Sequence, residues 1–346
     1  MINILIVDDS ETETQLLKSF FESEKDMCVI GHAKDGQEAI DLTKKLRPDI
    51  ITMDILMPIK NGLEATRIIM AKTPTPIVVI SSTANDTALN TTFLALEAGA
   101  LSVLEKPTHF NSVQFNEMRK RIIDTVRSMS QVKVITHRFH THKRKIIPST
   151  DRALIHHSYE IIGIGVSVGG PQALKAIFSK LPPHFPIPIV VVQHMTPGFI
   201  QGFAHWLDKH CALTVKTAEQ NEYLVAGTIY FAPDNYHLCI NRRQEKLIAN
   251  LVSSPPISGF CPSATVLLQS IASISGQHAI GILLTGMGND GAQGLLELKN
   301  AKGLTLIQDK ESAVVFGMAG VALSLNAIDK VVTLDKIADY LIEITQ

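Results

Sequence analysis

Short apolar runs alternate with longer amphipathic stretches along the first 125 residues of the chain. The runs are rich in valine and isoleucine, which is typical of strands buried on both faces, and the stretches between them repeat apolar residues at helical spacing. Five strands, each followed by a helix, predict a parallel, doubly wound α/β sheet. The predicted strands are Ile2–Val7, Met27–His32, Ile50–Met53, Ile77–Ser81 and Ser102–Glu105, and helices are predicted near 12–24, 36–46, 62–72, 87–98 and 111–128.

The same alternation resumes at Tyr159 and predicts a second doubly wound, mostly parallel α/β domain. A chain of 346 residues is also too long for one typical core. We therefore predict a first domain over 1–125, a linker over 126–158 and a second domain over 159–346. The strands predicted in the second domain are Glu160–Val166, Ile187–Gln193, Thr228–Ala232, Ala279–Leu284, Thr305–Gln308 and Lys330–Val332.

The predicted linker is basic and rich in histidine. The spacing of His137, His140 and His142 is compatible with metal binding, but no framework of cysteines or carboxylates accompanies them. A basic amphipathic or nucleic-acid-binding patch is a second interpretation. We favour a solvated tether between the two domains, with a flexible end at the Pro-Ser-Thr cluster of residues 148–150.

Composition narrows the classes of function. Apolar residues make up 45% of the chain and charged residues 19%, and the net charge of −1 does not favour nucleic acid or an anionic membrane as partner. No apolar run reaches membrane-spanning length, and the N-terminus is typical of a strand rather than a signal peptide. We expect a cytoplasmic protein that neither binds nucleic acid nor inserts into a membrane. The cysteines, which lack C-x-x-C spacing and fit a reducing compartment, are Cys28, Cys211, Cys239 and Cys261.

Chemically reactive residues stand at the carboxyl ends of the strands predicted in the first domain. Asp8 and Asp9 follow the first strand, and Asp54 follows the third. Because such strand ends meet at one edge of a parallel sheet, the three carboxylates would repel one another unless a hard cation joined them. Mg²⁺ takes oxygen ligands of this kind. Ser81 and Lys106 end the fourth and fifth strands at the same edge.

This set of residues, with Met57-Pro58 after Asp54 and Pro107 after Lys106, resembles that of a phosphorylatable response-regulator receiver domain. The resemblance implies a flavodoxin-like (βα)5 fold in which Asp54 accepts a phosphoryl group from a histidine kinase. Val103 departs from the family, since it stands at a position where an aromatic switch residue is usual. The resemblance also implies that Asp9, Asp54 and the Leu56 carbonyl bind Mg²⁺ and that Asp8 acts on this site through water. It implies that Ser81 and Lys106 contact the phosphoryl oxygens.

The second domain begins with a serine set among glycines, in the segment 163–171. The segment lies between a predicted strand and a helix-like run, which places Ser167 on a sharp turn with its hydroxyl exposed. Free backbone N–H groups and the positive end of a helix then lie beside the hydroxyl and favour developing negative charge. Ser167 is therefore a candidate nucleophile, although a simple N-cap is the alternative for this residue taken alone.

Two later strands end in residues that could activate this serine. His194 follows one of them, and Asp290 lies in the glycine-rich loop that follows the other. Imidazole is the best side-chain base for a serine hydroxyl, and a buried carboxylate fixes the tautomer of the imidazole. Each residue alone is more simply a strand-end or turn residue, but their shared sheet edge favours catalysis. Backbone amides near Gly169 and Gly170, or that of Met287, could form an oxyanion hole.

The glycines also permit a dinucleotide-binding interpretation. Gly163, Gly165 and Gly169 follow a strand much as a phosphate-binding loop does, although the third glycine is one place late. Such a loop requires an acidic residue at the end of the next strand to bind a ribose. That strand instead ends in Gln193-His194, so we disfavour this interpretation.

The second domain carries the motifs Gly165–Pro171, Gln193–Met195, Phe231–Pro233 with His237-Leu238, Leu284–Ala292, and Gln308-Asp309 with Val315–Met318. Together they resemble the chemotaxis protein-glutamate methylesterase family, in which a receiver precedes such a domain. The resemblance implies hydrolysis of glutamate methyl esters, with release of methanol, on the cytoplasmic domains of methyl-accepting chemoreceptors, and deamidation of receptor glutamines. It implies Ser167 as nucleophile, His194 as general base and Asp290 as orienting carboxylate, with no cofactor in this domain. Phosphorylation of Asp54 by a chemotaxis histidine kinase would loosen the receiver from the face that carries Ser167.

Four positions of the second domain depart from this family. Val168 follows the nucleophile where threonine is usual, and Ala319 stands where proline is common. The segment Cys261–Thr265 resembles an Arg-Pro-Ser-x-Asp pattern but lacks both charged residues. These departures leave an alternative, a catalytically impaired response regulator that acts as a phosphorylation-gated binding module. The complete set of three triad residues favours the enzyme.

Overall fold

The computed structural model describes residues 1–81, 93–106, 113–132, 134 and 159–345. Most of the predicted linker, with its metal and nucleic-acid interpretations, lies outside the described residues, as do parts of the helices predicted near 87–98 and 111–128. None of the described helices is both long and apolar enough to cross a membrane.

Five parallel strands form the first sheet, in the spatial order β2-β1-β3-β4-β5. All five predicted strands are confirmed. Three helices begin after Ser10, Asp35 and Asn61, whose side chains accept hydrogen bonds from backbone amides of the first turn. The elements are β1 (Ile2–Val7), α1 (Glu11–Glu22), β2 (Met27–Ala33), α2 (Gly36–Leu46), β3 (Ile50–Met53), α3 (Gly62–Lys72), β4 (Ile77–Ser81), β5 (Ser102–Glu105) and α4 (Val113–Met129).

Seven parallel strands form the second sheet, in the order β14-β13-β12-β6-β7-β9-β8. The order changes direction at β6, so the carboxyl ends of β6, β7 and β12 lie side by side, where ligands bind in doubly wound folds. The strands are β6 (Ile161–Val166), β7 (Ile189–Gln193), β8 (Thr214–Thr217), β9 (Thr228–Phe231), β10 (His237–Arg243), β11 (Lys246–Val252), β12 (Ala279–Leu283), β13 (Leu304–Gln308) and β14 (Lys330–Val332). The helices are α5 (Gly170–Phe178), α6 (Ile200–Asp208), α7 (Ala264–Ser275), α8 (Ala292–Asn300), α9 (Met318–Ser324) and α10 (Leu334–Thr345).

The structure adds three strands to those predicted from the sequence. β8 is a short, mostly polar strand at the edge of the second sheet, and β10 and β11 form a separate antiparallel hairpin. None of the three carries the continuous apolar run that marks the central strands. α4 also continues four residues beyond the domain boundary predicted at residue 125, because Val126 and Met129 are fully buried in the first core.

The two domains pack against each other through apolar and polar contacts. The ring centroid of Phe93 lies 5.9 Å from that of Phe203 and 6.2 Å from that of Trp206. Beside this aromatic cluster, Gln172 Nε2 donates hydrogen bonds to the carbonyl oxygens of Leu96 (3.2 Å) and Ala100 (2.9 Å). A stretch of the first domain after β4 thus covers the start of α5 and part of α6.

Candidate active site

Ser167 lies on a sharp turn between β6 and α5, as the sequence predicts, but the residue is buried, with 8% of its surface exposed, so the expectation of an exposed serine is wrong for this arrangement. Its backbone amide donates to the Thr285 carbonyl at 3.0 Å, and its carbonyl accepts from the Gly170 amide at 2.9 Å. Gly169 has a φ of 76°, a left-handed conformation that favours glycine, and this allows the chain to enter α5 abruptly. At Gly170 a Cβ atom would lie 2.0 Å from Gln193 Oε1, so the turn also needs glycine for space.

His194 and Asp290 meet at the same sheet edge. His194 Nε2 lies 2.8 Å from Asp290 Oδ2, and both side chains are buried. An ionised carboxylate can only accept a hydrogen bond, so the Nε2 of His194 carries the proton and Nδ1 the lone pair. That Nδ1 atom is buried and has no hydrogen-bond partner among the described residues. The imidazole is thus oriented so that Nδ1 is available to accept a proton.

Asp290 is held by the N-terminus of α7. The Ser263 hydroxyl donates to Asp290 Oδ1 at 2.7 Å, the Ala264 amide to Oδ2 at 2.7 Å and the Thr265 amide to Oδ1 at 3.1 Å. Burial by itself would raise the pKa of Asp290. The hydrogen bond from His194, the charge that His194 carries when it is protonated, and the hydrogen bonds from Ser263 and Thr265 outweigh burial and lower this pKa to about 2. Free amides and the dipole of a helix N-terminus favour a negative charge there. Asp290 is therefore fixed in the ionised state.

Sequence reasoning missed this cradle for the carboxylate. The family pattern draws attention to the two charged residues that the segment Cys261–Thr265 lacks, whereas the backbone of this segment and the Ser263 hydroxyl supply the hydrogen bonds to Asp290. Thr265 also links this helix to the loop of Asp290, since its Oγ1 accepts a hydrogen bond from the Gly291 amide at 2.7 Å. A serine directly before an apolar helical run is an N-cap signal, and this signal was available in the sequence. The sequence does not show, however, that this N-cap supports Asp290.

Gln193 joins the serine and histidine loops. Its Nε2 donates to the carbonyl oxygens of Ser167 (2.9 Å) and His194 (2.8 Å). The hydroxyl of Thr285 makes a similar link on the other side, donating to the Val168 carbonyl at 2.8 Å and accepting from the Val315 amide at 3.0 Å. Both polar side chains are almost completely buried, so their hydrogen bonds fix the spacing of the loops.

The predicted oxyanion donors differ in availability. The Gly170 amide already donates to the Ser167 carbonyl, so it is not free for an oxyanion, which corrects the expectation for that residue. The amides of Gly169 and Met287 have no hydrogen-bond acceptor among the described residues. Ser167 Oγ forms no hydrogen bond with His194 in this structure, and in free enzymes this bond is often long and tightens when substrate binds.

The acidic pocket of the first domain forms where the sequence predicts it. Carboxylate oxygens of Asp8, Asp9 and Asp54 lie within 4.8 Å of one another. Lys106 Nζ lies 3.0 Å from Asp8 Oδ2 and 2.9 Å from Asp54 Oδ2. The Ser81 hydroxyl is buried at the same edge and has no partner among the described residues. Three hard oxygen donors in this arrangement suit Mg²⁺.

Burial governs the electrostatics of this pocket. It raises the pKa of Asp8 to about 6 and also raises the pKa of Asp54, against the lowering effect of Lys106. Burial acts to lower the pKa of Lys106 itself, but Asp54, Glu13 and Asp8 outweigh it and raise that pKa. The pocket thus holds a permanent ammonium charge beside carboxylates whose charged forms need a nearby cation. The Leu56 side chain is exposed beyond Asp54.

The first domain also covers the loops beside Ser167. The Ser128 hydroxyl of α4 lies 2.9 Å from the sulfur of Met287. Val168, which follows the serine, and Val314 pack against the apolar core cluster to which Val126 of α4 belongs. Val168 therefore contributes to domain packing at the position where the related family usually has threonine. Access to the serine from this side requires the domains to move apart.

The geometry defines the class of protein: a receiver domain joined to an α/β serine hydrolase domain. Residues 4–116 match the response regulator receiver domain family, and residues 162–341 match the CheB methylesterase family. The chain belongs to the CheB methylesterase family. This membership agrees with the resemblance found in its motifs.

Two curated relatives match nearly the full chain, and a solved structure matches about half of it. A protein-glutamate methylesterase/protein-glutamine glutaminase of Nitrosospira multiformis is 43% identical over 343 residues, which cover 98% of this chain and 95% of the relative. A second such protein, from Methanospirillum hungatei, is 42% identical over 333 residues, which cover 94% of this chain and 93% of the relative. The crystal structure of the Thermotoga maritima CheB methylesterase catalytic domain is 40% identical, with a TM-score of 0.53, and covers 54% of this chain and 99% of that one.

Proposed function

We propose that this protein is a phosphorylation-activated serine hydrolase that removes methyl groups from glutamate methyl esters of chemoreceptors and deamidates their glutamines. The relatives named above carry both activities in their names, and they match the whole chain. The observation that carries the proposal is the buried pair of His194 and ionised Asp290 at the sheet edge that holds Ser167. The protein acts in the cytoplasm, where methyl-accepting receptors expose the domains that it modifies.

The reaction is acyl transfer through the serine. Ser167 Oγ attacks the ester carbonyl while Nδ1 of His194 accepts the hydroxyl proton, and the C–O bond to methanol breaks as the imidazolium returns that proton. Water then cleaves the glutamyl-enzyme by the same route, leaving a free carboxylate. Asp290 stabilises the imidazolium, and the free amides of Gly169 and Met287 stabilise the oxyanion. A glutamine side chain follows the same steps with ammonia as leaving group.

The receiver domain regulates access to this site. Asp54 accepts a phosphoryl group from a chemotaxis histidine kinase, and Ser81 and Lys106 contact the phosphoryl oxygens. Asp9, Asp54 and the Leu56 carbonyl would hold Mg²⁺ directly and Asp8 through water, and the ion would supply positive charge for phosphoryl transfer. The contacts of α4 with Met287 and of Phe93 with α6 support a closed arrangement that phosphorylation weakens. We retain two domains joined by a linker, with the second over 159–346, and extend the first from residue 125 to Met129, where α4 ends.

Methanol release from methylated receptor membranes tests this proposal. The full chain is assayed with and without a small-molecule phosphodonor and Mg²⁺, beside the variants Ser167→Ala and Asp54→Asn. We expect wild-type release to rise with the phosphodonor, Ser167→Ala to release none, and Asp54→Asn to keep a basal rate without stimulation.

Each other outcome contradicts one part of the proposal. Release by Ser167→Ala would exclude this serine as nucleophile. Release that ignores the phosphodonor would leave an esterase without the proposed gating. No release by folded, phosphorylated wild-type protein with a matched receptor would favour the binding module.

A further inference from the structure

A tight turn brings an aromatic ring against the imidazole of His194. The ring centroids of Phe260 and His194 are 3.8 Å apart, and the two planes differ by only 2°. Aromatic pairs in proteins more commonly have centroids about 4.5–7 Å apart, so this is close face-to-face contact. Phe260 covers one face of the imidazole, a role that none of the steps proposed above assigns.

The turn that carries Phe260 is a two-residue hairpin turn closed by backbone hydrogen bonds. Ile257 and Phe260 exchange two backbone hydrogen bonds, of 3.0 and 2.9 Å. The two residues between them, Ser258 and Gly259, have φ values of 53° and 83°, the left-handed backbone that a two-residue hairpin turn of type I′ requires. A Cβ atom on Gly259 would meet nothing within 4 Å, so glycine is needed there for its backbone conformation.

The same segment supports both partners of the buried pair. The hydrogen bond from His194 Nε2 to Asp290 lies in the plane of the imidazole ring. This bond alone does not prevent the ring from tilting about it. Phe260 blocks this tilt on one side. Three residues later Ser263 donates to Asp290, and its amide donates to Nδ1 of the buried His237 at 3.1 Å. The position of the ring is thus tied to that of the carboxylate.

We propose that Phe260 is a positioning residue for the general base. It keeps Nδ1 of His194 directed towards Ser167, and its π face stabilises the positive charge that the imidazole gains during acyl transfer. This inference rests on the proposed esterase activity. It predicts an effect on the chemical step, with little effect on substrate binding.

Steady-state methanol release by the full chain tests the inference. For Phe260→Leu, which keeps an apolar side chain but removes the ring, we expect kcat to fall about tenfold with KM changed by less than about twofold. Phe260→Tyr keeps the ring and should restore most of kcat. Gly259→Ala, which strains the turn without touching the ring, should lower kcat by a smaller factor. Tyr223→Leu removes a remote ring that is 40% exposed and serves as the matched control.

An NMR measurement separates this inference from the proposed function. A stacked ring shifts the carbon-bound protons of the His194 imidazole upfield, so we expect the shift in wild-type protein and Phe260→Tyr and its loss in Phe260→Leu. Unchanged kcat in Phe260→Leu, or a raised KM with unchanged kcat, would overturn the inference. Wild-type protein without esterase activity would refute the proposed function, and the imidazole shifts would still show whether Phe260 stacks on His194.

Discussion

Reversing the charge of Glu97 should release part of the closed arrangement of the two domains. The Glu97 carboxylate of the first domain pairs with the ammonium of Lys175 on α5, and it lies 3.7 Å from His210 Nε2. The two paired side chains are 38% and 28% exposed, so water screens the pair and it contributes about 0.5–1 kcal/mol. Glu97→Lys replaces this attraction by a repulsion of similar size, a change of about 1–2 kcal/mol in the docking free energy.

That change corresponds to about 5- to 30-fold in the ratio of open to closed molecules. The aromatic contacts of Phe93 remain, so the closed arrangement should still predominate. We expect methanol release without phosphodonor to rise at least about fivefold, while the fully phosphorylated rate stays the same.

The control variant is Glu219→Lys. It reverses the charge of a residue that forms an exposed ion pair with Lys216, and both residues lie within the second domain. It should leave both rates unchanged. An unchanged basal rate in folded Glu97→Lys would refute the argument that these contacts restrain the enzyme. A fall in both rates would show that Glu97 supports activity instead.

Two further variants test the catalytic domain. Asp290→Asn should lower kcat about 10³- to 10⁴-fold, measured by methanol release, because an amide no longer fixes the His194 tautomer. The low pKa of Asp290, about 2, should also stabilise the fold by about 2 kcal/mol at neutral pH. Because this pKa is depressed, the stabilisation is complete at pH 7 and is lost as the pH falls from about 4 towards 2. In urea unfolding, the difference in free energy of unfolding between wild type and Asp290→Asn should therefore disappear over this pH range. A difference that does not depend on pH would contradict the assignment. Gly170→Ala should destabilise the fold by about 1–3 kcal/mol and lower kcat, since its Cβ displaces Gln193 from both catalytic loops; wild-type stability and rate would refute this role.

Much of the fold could be predicted because buried parallel strands carry a local signal. Runs such as Ile77–Ser81 are apolar up to their last residue, and glycines and N-cap residues mark the ends of helices, so the sequence predicts all five strands of the first domain. β8 and the hairpin of β10 and β11 were missed for the opposite reason. They lie at the edge of the sheet or outside it, where one face meets water and the apolar run is broken.

The pattern of strands along the chain is enough to place Ser167, His194 and Asp290 after strand ends, and parallel strands bring such ends to one edge of the sheet. What holds these residues in place depends on tertiary packing. Ser263 and Asp290 are 27 residues apart and meet because α7 directs its first turn at the loop after β12, and Phe260 reaches His194 from a different turn. The contacts of Glu97 with Lys175 likewise join two domains. Such contacts depend on packing between distant segments, and no local pattern of residues encodes them.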